Sequence, residues 1–75
     1  MITVKFFASL RERIGQAVCE LQPHSQMTVA QVWQAVSDEP APTHLLCAVN
    51  QEYAVPTDSV QDGDEVAFFP PVTGG

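Results

Sequence analysis

Positive charge is scarce in this chain: three Lys plus Arg stand against nine Asp plus Glu among 75 residues, a formal net charge of −6. Such a surface repels phosphate backbones and anionic lipid heads, so no nucleic acid and no membrane surface is expected as a partner. A partner with a basic docking face is expected instead. Long apolar runs are missing as well, and none approaches the roughly 18 residues of a membrane span. The opening stretch MITVKFFASLRER carries Lys5 inside its apolar segment, unlike a signal peptide, and the expectation is a cytoplasmic protein. Cysteine is limited to Cys19 and Cys47, with no C-x-x-C spacing and no neighbouring His pair, which leaves neither a zinc site nor a thioredoxin-like motif. Both read as small core hydrophobes. His24 and His44 lie in Pro-containing polar stretches without a ligand cluster, so they read as loop residues and no metal is expected. Internal repeats and low-complexity tracts are absent. A chain of 75 residues forms one domain around one core, with little room to enclose an active site. A carrier, a binding module or a subunit is therefore favoured over a self-contained enzyme.

What is present suffices for folding, since 45% of the residues are hydrophobic and only 16% are charged. Met1 to Ala8 alternates, with Ile2, Val4 and Phe6 on one face and Thr3, Lys5 and Phe7 on the other, which predicts a half-buried strand. Ser9 to Gly15 reads as a connector carrying Arg11 and Arg13, and Gln16 to Gln22 as a second strand hairpinned to the first. Val29, Val32, Trp33 and Val36 then take the spacing of one helical face. Thr28 and Gln31 have the form of a capping box, so a helix is predicted over about residues 28 to 37, ended by the Pro40-Ala41-Pro42 stretch. Leu45 to Asn50 predicts a third strand, Tyr53 to Val55 a short one and Val66 to Phe69 the last. Asp62-Gly63-Asp64 forms the turn before it, where Gly63 can take a positive φ.

This order is α+β, with one amphipathic helix covering one face of a sheet. The other face would gather Phe7, Leu46, Ala48, Ala67 and Phe69, and an exposed apolar patch on a small domain marks a partner surface. A one-residue slip in any strand would instead move its set into the core.

The end of the sequence, Pro70-Pro71-Val72-Thr73-Gly74-Gly75, has its own chemistry. The prolines stiffen its base, the five residues from Pro71 reach roughly 16 Å, and two glycines without Cβ atoms pass through a channel too narrow for other residues. A carboxylate at Gly75 is a poor electrophile but attacks the α-phosphate of ATP, and the resulting acyl-adenylate is open to sulfur or an amine. On the glycines alone, a frayed end is an equal reading.

The stretches VKFFASLRERIG, LLCAVNQE and above all DGDEVAFFPPVTGG resemble the ubiquitin-like sulfur carriers, in particular the MoaD-type small subunits of molybdopterin synthase. Residues 16 to 44 match only in pattern, and the connection near residues 38 to 44 is short for the family. The resemblance implies a β-grasp (ubiquitin-like) fold over residues 1–70, a mixed sheet with one main helix packed on one face, and a flexible Gly-Gly tail over residues 71–75. It implies parallel central first and last strands, which would keep Cys19 and Cys47 too far apart for a disulfide. Arg11 and Arg13 would then lie at the tail end of the sheet, with Asp62, Asp64 and Glu65 at the other end as turn formers and solvated charge. The implied chemistry needs no permanently bound cofactor. An adenylating activating enzyme would use ATP on Gly75, and a sulfur donor would make the thiocarboxylate. The large catalytic subunit would then accept the tail residues Pro71, Val72, Thr73 and Gly74 with it and pass sulfur to cyclic pyranopterin monophosphate, within a heterotetramer. Arg11 would contact the activating enzyme or an acidic rim, or stand as a plain solvated cation. The alternatives are a carrier of the thiamine-thiazole type, and, in another class, a ubiquitin-like modifier or plain binding module. The FFPPVTGG ending favours the molybdopterin branch.

Overall fold

The computed structural model describes residues 1–23, 25–42 and 44–71. The elements run β1 (Ile2–Phe6), α1 (Ser9–Ile14), β2 (Val18–Leu21), β3 (Met27–Thr28), α2 (Val29–Val36), β4 (Leu46–Val49), β5 (Glu52–Ala54), β6 (Ser59–Val60) and β7 (Glu65–Phe69). Five strands form one mixed sheet in the order β2-β1-β7-β4-β5, and β3 pairs with β6 in a separate two-residue ladder. Strands β1 and β7 are parallel and central, with Val4 opposite Val66 and Phe6 opposite Phe68, whereas the remaining pairings are antiparallel. This is the β-grasp arrangement that the family resemblance implies.

The alternation in β1 and β7 decides which face is buried. Ile2, Val4, Phe6, Val66 and Phe68 point into the core and are at most 2% exposed. Helix α2 closes that face with Val29, Val32 and Trp33, the residues at helical spacing. Both capping-box bonds form: the Gln31 amide donates to Thr28 Oγ1 at 3.2 Å, and the Thr28 amide donates to the Gln31 side-chain oxygen at 2.9 Å. Trp33 packs edge-on against Phe68, ring centroids 5.1 Å apart, and against Phe6 at 6.3 Å. Its Nε1 donates to the Glu39 carbonyl at 2.9 Å, which ties the segment after the helix back over the core and satisfies an otherwise buried donor.

The structure departs from the expectations in three elements. Ser9 to Ile14 is a helix instead of a connector, with Leu10 buried beneath it, Ile14 packed on the core and Gly15 ending it at φ 91°. Leu10 and Ile14 stand four residues apart on one helical face, but a segment of six residues offers no longer period to recognise. Strand β2 is shorter than residues 16 to 22, and Ala17 is exposed. The β3-β6 ladder is too short to leave any alternation in the sequence.

Candidate functional site

Because β1 and β7 run parallel, the chain enters α1 and leaves β7 at the same end of the sheet. Pro70 lines a small cleft with Ser9, Leu10, Glu12, Arg13 and Pro42 at this end. Pro71 is half-buried beyond it, while Val72, Thr73, Gly74 and Gly75 lie outside the described residues. Arg13 Nε donates to Glu39 Oε2 at 2.7 Å, joining α1 to the segment that Trp33 anchors. Arg11 is exposed on the same helix and makes no ion pair among the described residues.

The face of the sheet away from α2 carries the expected patch. Phe7 and Phe69 meet edge to face with ring centroids 6.4 Å apart, and Leu46 stands directly opposite Phe69 across the β4-β7 ladder. Ala67 pairs with Ala48 in the next row, and Ala48 pairs with Tyr53. Phe7 is 48% exposed, and Leu46, Ala67 and Phe69 are half-buried. Ala48 departs from the expectation: it is buried. The Phe69 and Tyr53 rings, from the strands on either side of β4, approach to 5.9 Å across it, and Ala48 forms the floor beneath.

Two members of this face were missed. Tyr53 is 80% exposed, and Val18, paired to Lys5 on β1, is 50% exposed. Tyr53 falls on the open face because β4 and β5 join through the two residues Asn50 and Gln51, so that Ala48 and Tyr53 pair; the Ala-Val-Asn stretch is the sequence signal that could have fixed this register. Away from the tail the face turns polar, with Lys5 Nζ 3.1 Å from Glu65 Oε1.

The acids expected at the far end are there: Asp64 holds the turn, Asp62 pairs with the Met1 amino group, and Glu65 opens β7 and pairs with Lys5. Asp64 accepts from the Gln61 amide at 2.8 Å and from Asn50 Nδ2 at 3.0 Å, while Asn50 Oδ1 accepts from the Glu65 amide at 3.0 Å. The Gln61 amide, with Asn50 in support, holds the Asp64 carboxyl below the ordinary aspartate value. No group of His, Cys, Asp or Glu among the described residues has the arrangement of a metal site.

Neither thiol is placed for nucleophilic work. Burial pushes both upward, and for Cys47 the nearby Asp58 charge adds to it. Cys47 is 5% exposed, and its Sγ lies 3.1 Å from the Ala54 carbonyl. Strands β1 and β7 separate β2 from β4, placing the two cysteines about 14 Å apart, well beyond disulfide reach. Among the described residues, no side chains form a catalytic constellation.

Comparison with known proteins agrees with this geometry. The chain is 44% identical to the molybdopterin synthase sulfur carrier subunit of Escherichia coli K12 and 36% identical to that of Haemophilus influenzae, each over the full length of both chains. In structure it is similar to small archaeal modifier protein 1 of Haloferax volcanii, with a TM-score of 0.81, 26% identity, and 95% of this chain and 97% of that one covered. No described helix is long and apolar enough to cross a membrane. The model of the ThiS family matches residues 4–75, nearly the whole sequence and both of its quoted ends, and the chain belongs to that family.

Proposed function

We propose that this chain is the sulfur-carrying small subunit of molybdopterin synthase, a cosubstrate whose reactive atoms are the carboxylate of Gly75. The observation that carries the reading is the full-length similarity to proteins of that name, together with the FFPPVTGG ending. The carboxylate attacks the α-phosphate of ATP in an activating enzyme, forming the acyl-adenylate and releasing pyrophosphate. Sulfur from a donor then displaces AMP and leaves a thiocarboxylate. The large catalytic subunit receives the tail, and sulfur passes to cyclic pyranopterin monophosphate. The apolar face beside Pro70 and Pro71 supports such docking, because it lies at the root of the tail and ends in exposed aromatics. The net charge of −6 favours basic docking faces on both partners. A cytoplasmic location belongs to the same reading.

A second reading, a protein modifier joined to lysines through Gly75, is favoured by the likeness to the archaeal modifier. It shares the activation step and differs in the acceptor, an amine in place of sulfur.

Incubation with ATP, the activating enzyme and a sulfur source should give an intact-mass gain equal to one oxygen replaced by sulfur, and tandem mass spectrometry should place it at Gly75. Deleting Gly75, or adding one residue after it, should abolish the gain without altering the circular dichroism spectrum. Sulfur never found at Gly75 would overturn the proposal, and lysine conjugates in its place would establish the second reading.

A further inference from the structure

The backbone at Ala8 is the starting point. Ala8 has φ 54° and ψ −132°, a conformation close to the region that only glycine occupies without strain. It joins β1 to α1, two elements that bury side chains in the same core. On its N-terminal side the Phe7 amide makes the last ladder bond, donating to the Phe68 carbonyl at 3.1 Å, so the Phe7 side chain falls on the open face. Three residues later Leu10, in α1, is buried in the core that Phe6 also enters. The chain turns from strand into helix at Ala8. The turn is closed by two further bonds, the Leu10 amide to the Phe7 carbonyl and the Arg11 amide to the Ala8 carbonyl, both at 3.1 Å.

A glycine would make this turn without steric cost, yet the position carries a Cβ. That Cβ restricts the torsions of the turn, and the turn is bonded at the Phe7 carbonyl, on the residue whose exposed ring meets Phe69. We propose that Ala8 is a positioning residue: its strained, side-chain-bearing turn holds the Phe7 ring edge-on to Phe69 at the root of the tail, so that the docking face is ordered before the partner arrives. This rests on the reading of that face as the surface that meets the large subunit. An aromatic held in its bound geometry loses less conformational freedom on docking, which raises affinity without adding a contact.

The test separates strain from order. Ala8→Gly relieves the strain and frees the hinge, so its melting temperature should rise by about 4 °C. In the free chain the nuclear Overhauser contact between the Phe7 and Phe69 rings should weaken, and affinity for the large subunit should fall about threefold to tenfold. A semisynthetic chain with the D-enantiomer of alanine at position 8 adopts the same backbone without strain and keeps the Cβ, so it should combine the higher melting temperature with the parent affinity. An undiminished ring contact in Ala8→Gly, or a lower melting temperature, overturns the proposal whether or not any partner binds. Equal affinity of the glycine variant and the parent overturns it too. Failure of the parent chain itself to bind the large subunit would instead count against the function proposed above, and the ring contact in the free chain tells the two failures apart.

Discussion

Phe7 and Phe69 stand on neighbouring parallel strands, two residues beyond the Lys5-Ala67 pair, and their rings meet edge to face at 6.4 Å immediately before Pro70. Chain entry into α1 and chain exit into the tail are thereby bound together by one aromatic contact on the uncovered face. Anything that receives the tail must pass close to this pair.

Phe69→Asp should therefore weaken binding to the large subunit by about thirtyfold or more, the loss expected for a central aromatic anchor. Because Phe69 lies outside the core cluster of Phe6, Trp33 and Phe68, the variant should keep the parent's circular dichroism spectrum and a cooperative melt. Titration calorimetry reads the affinity. An unchanged value would show that the partner does not cover this face.

At the opposite end of the sheet, Asp64 makes stability depend on acid. Its folded-state carboxyl titrates below the ordinary value because it accepts from Gln61 and Asn50, so the charged form is favoured by folding. The contribution is complete above the unfolded-chain value and is lost as pH falls through the folded one. Asp64→Asn, which carries no proton to gain, should lose less stability between neutral and acid pH than the parent. Urea melts across that range check it, and parallel acid limbs would refute the assignment.

The hairpin between β4 and β5 turns on Asn50 and Gln51, with φ 51° and 69°, the pattern of a type I′ turn. Asparagine tolerates the left-handed region well and glutamine does not. Gln51→Gly should stabilise the chain by about 0.5–1 kcal/mol, the relief of strain exceeding the added freedom of the unfolded state. Chemical denaturation measures it, and a loss of stability would mean that the Gln51 side chain makes a compensating contact.

Much of the fold was legible because the periodicities were clean. Strict alternation in Ile2 to Phe7 and Glu65 to Phe69, and the Val29-Val32-Trp33-Val36 spacing, left one way to bury each side chain. Helix α1 and the β3-β6 ladder escaped because six residues and two residues are shorter than the patterns that reveal them. Of the open face, Phe7, Leu46, Ala67 and Phe69 followed from alternation alone. Tyr53 and Val18 depended on how edge strands register against their neighbours, which is set by the turn at Asn50-Gln51 and the span of α1.

By itself the sequence determined that the chain is a small acidic α+β domain carrying the stretch FFPPVTGG, because charge, alternation and motif are properties of the residues in order. Tertiary structure decided where these features meet. Parallel pairing of β1 with β7 brought Phe7 to Phe69 and α1 to Pro70, across more than sixty residues of chain, through backbone hydrogen bonds that any sequence of strands could make. Tertiary packing also buried Ala48 under two rings and set Ala8 in a glycine conformation, since both follow from how neighbouring elements cross and neither is written in the residue itself.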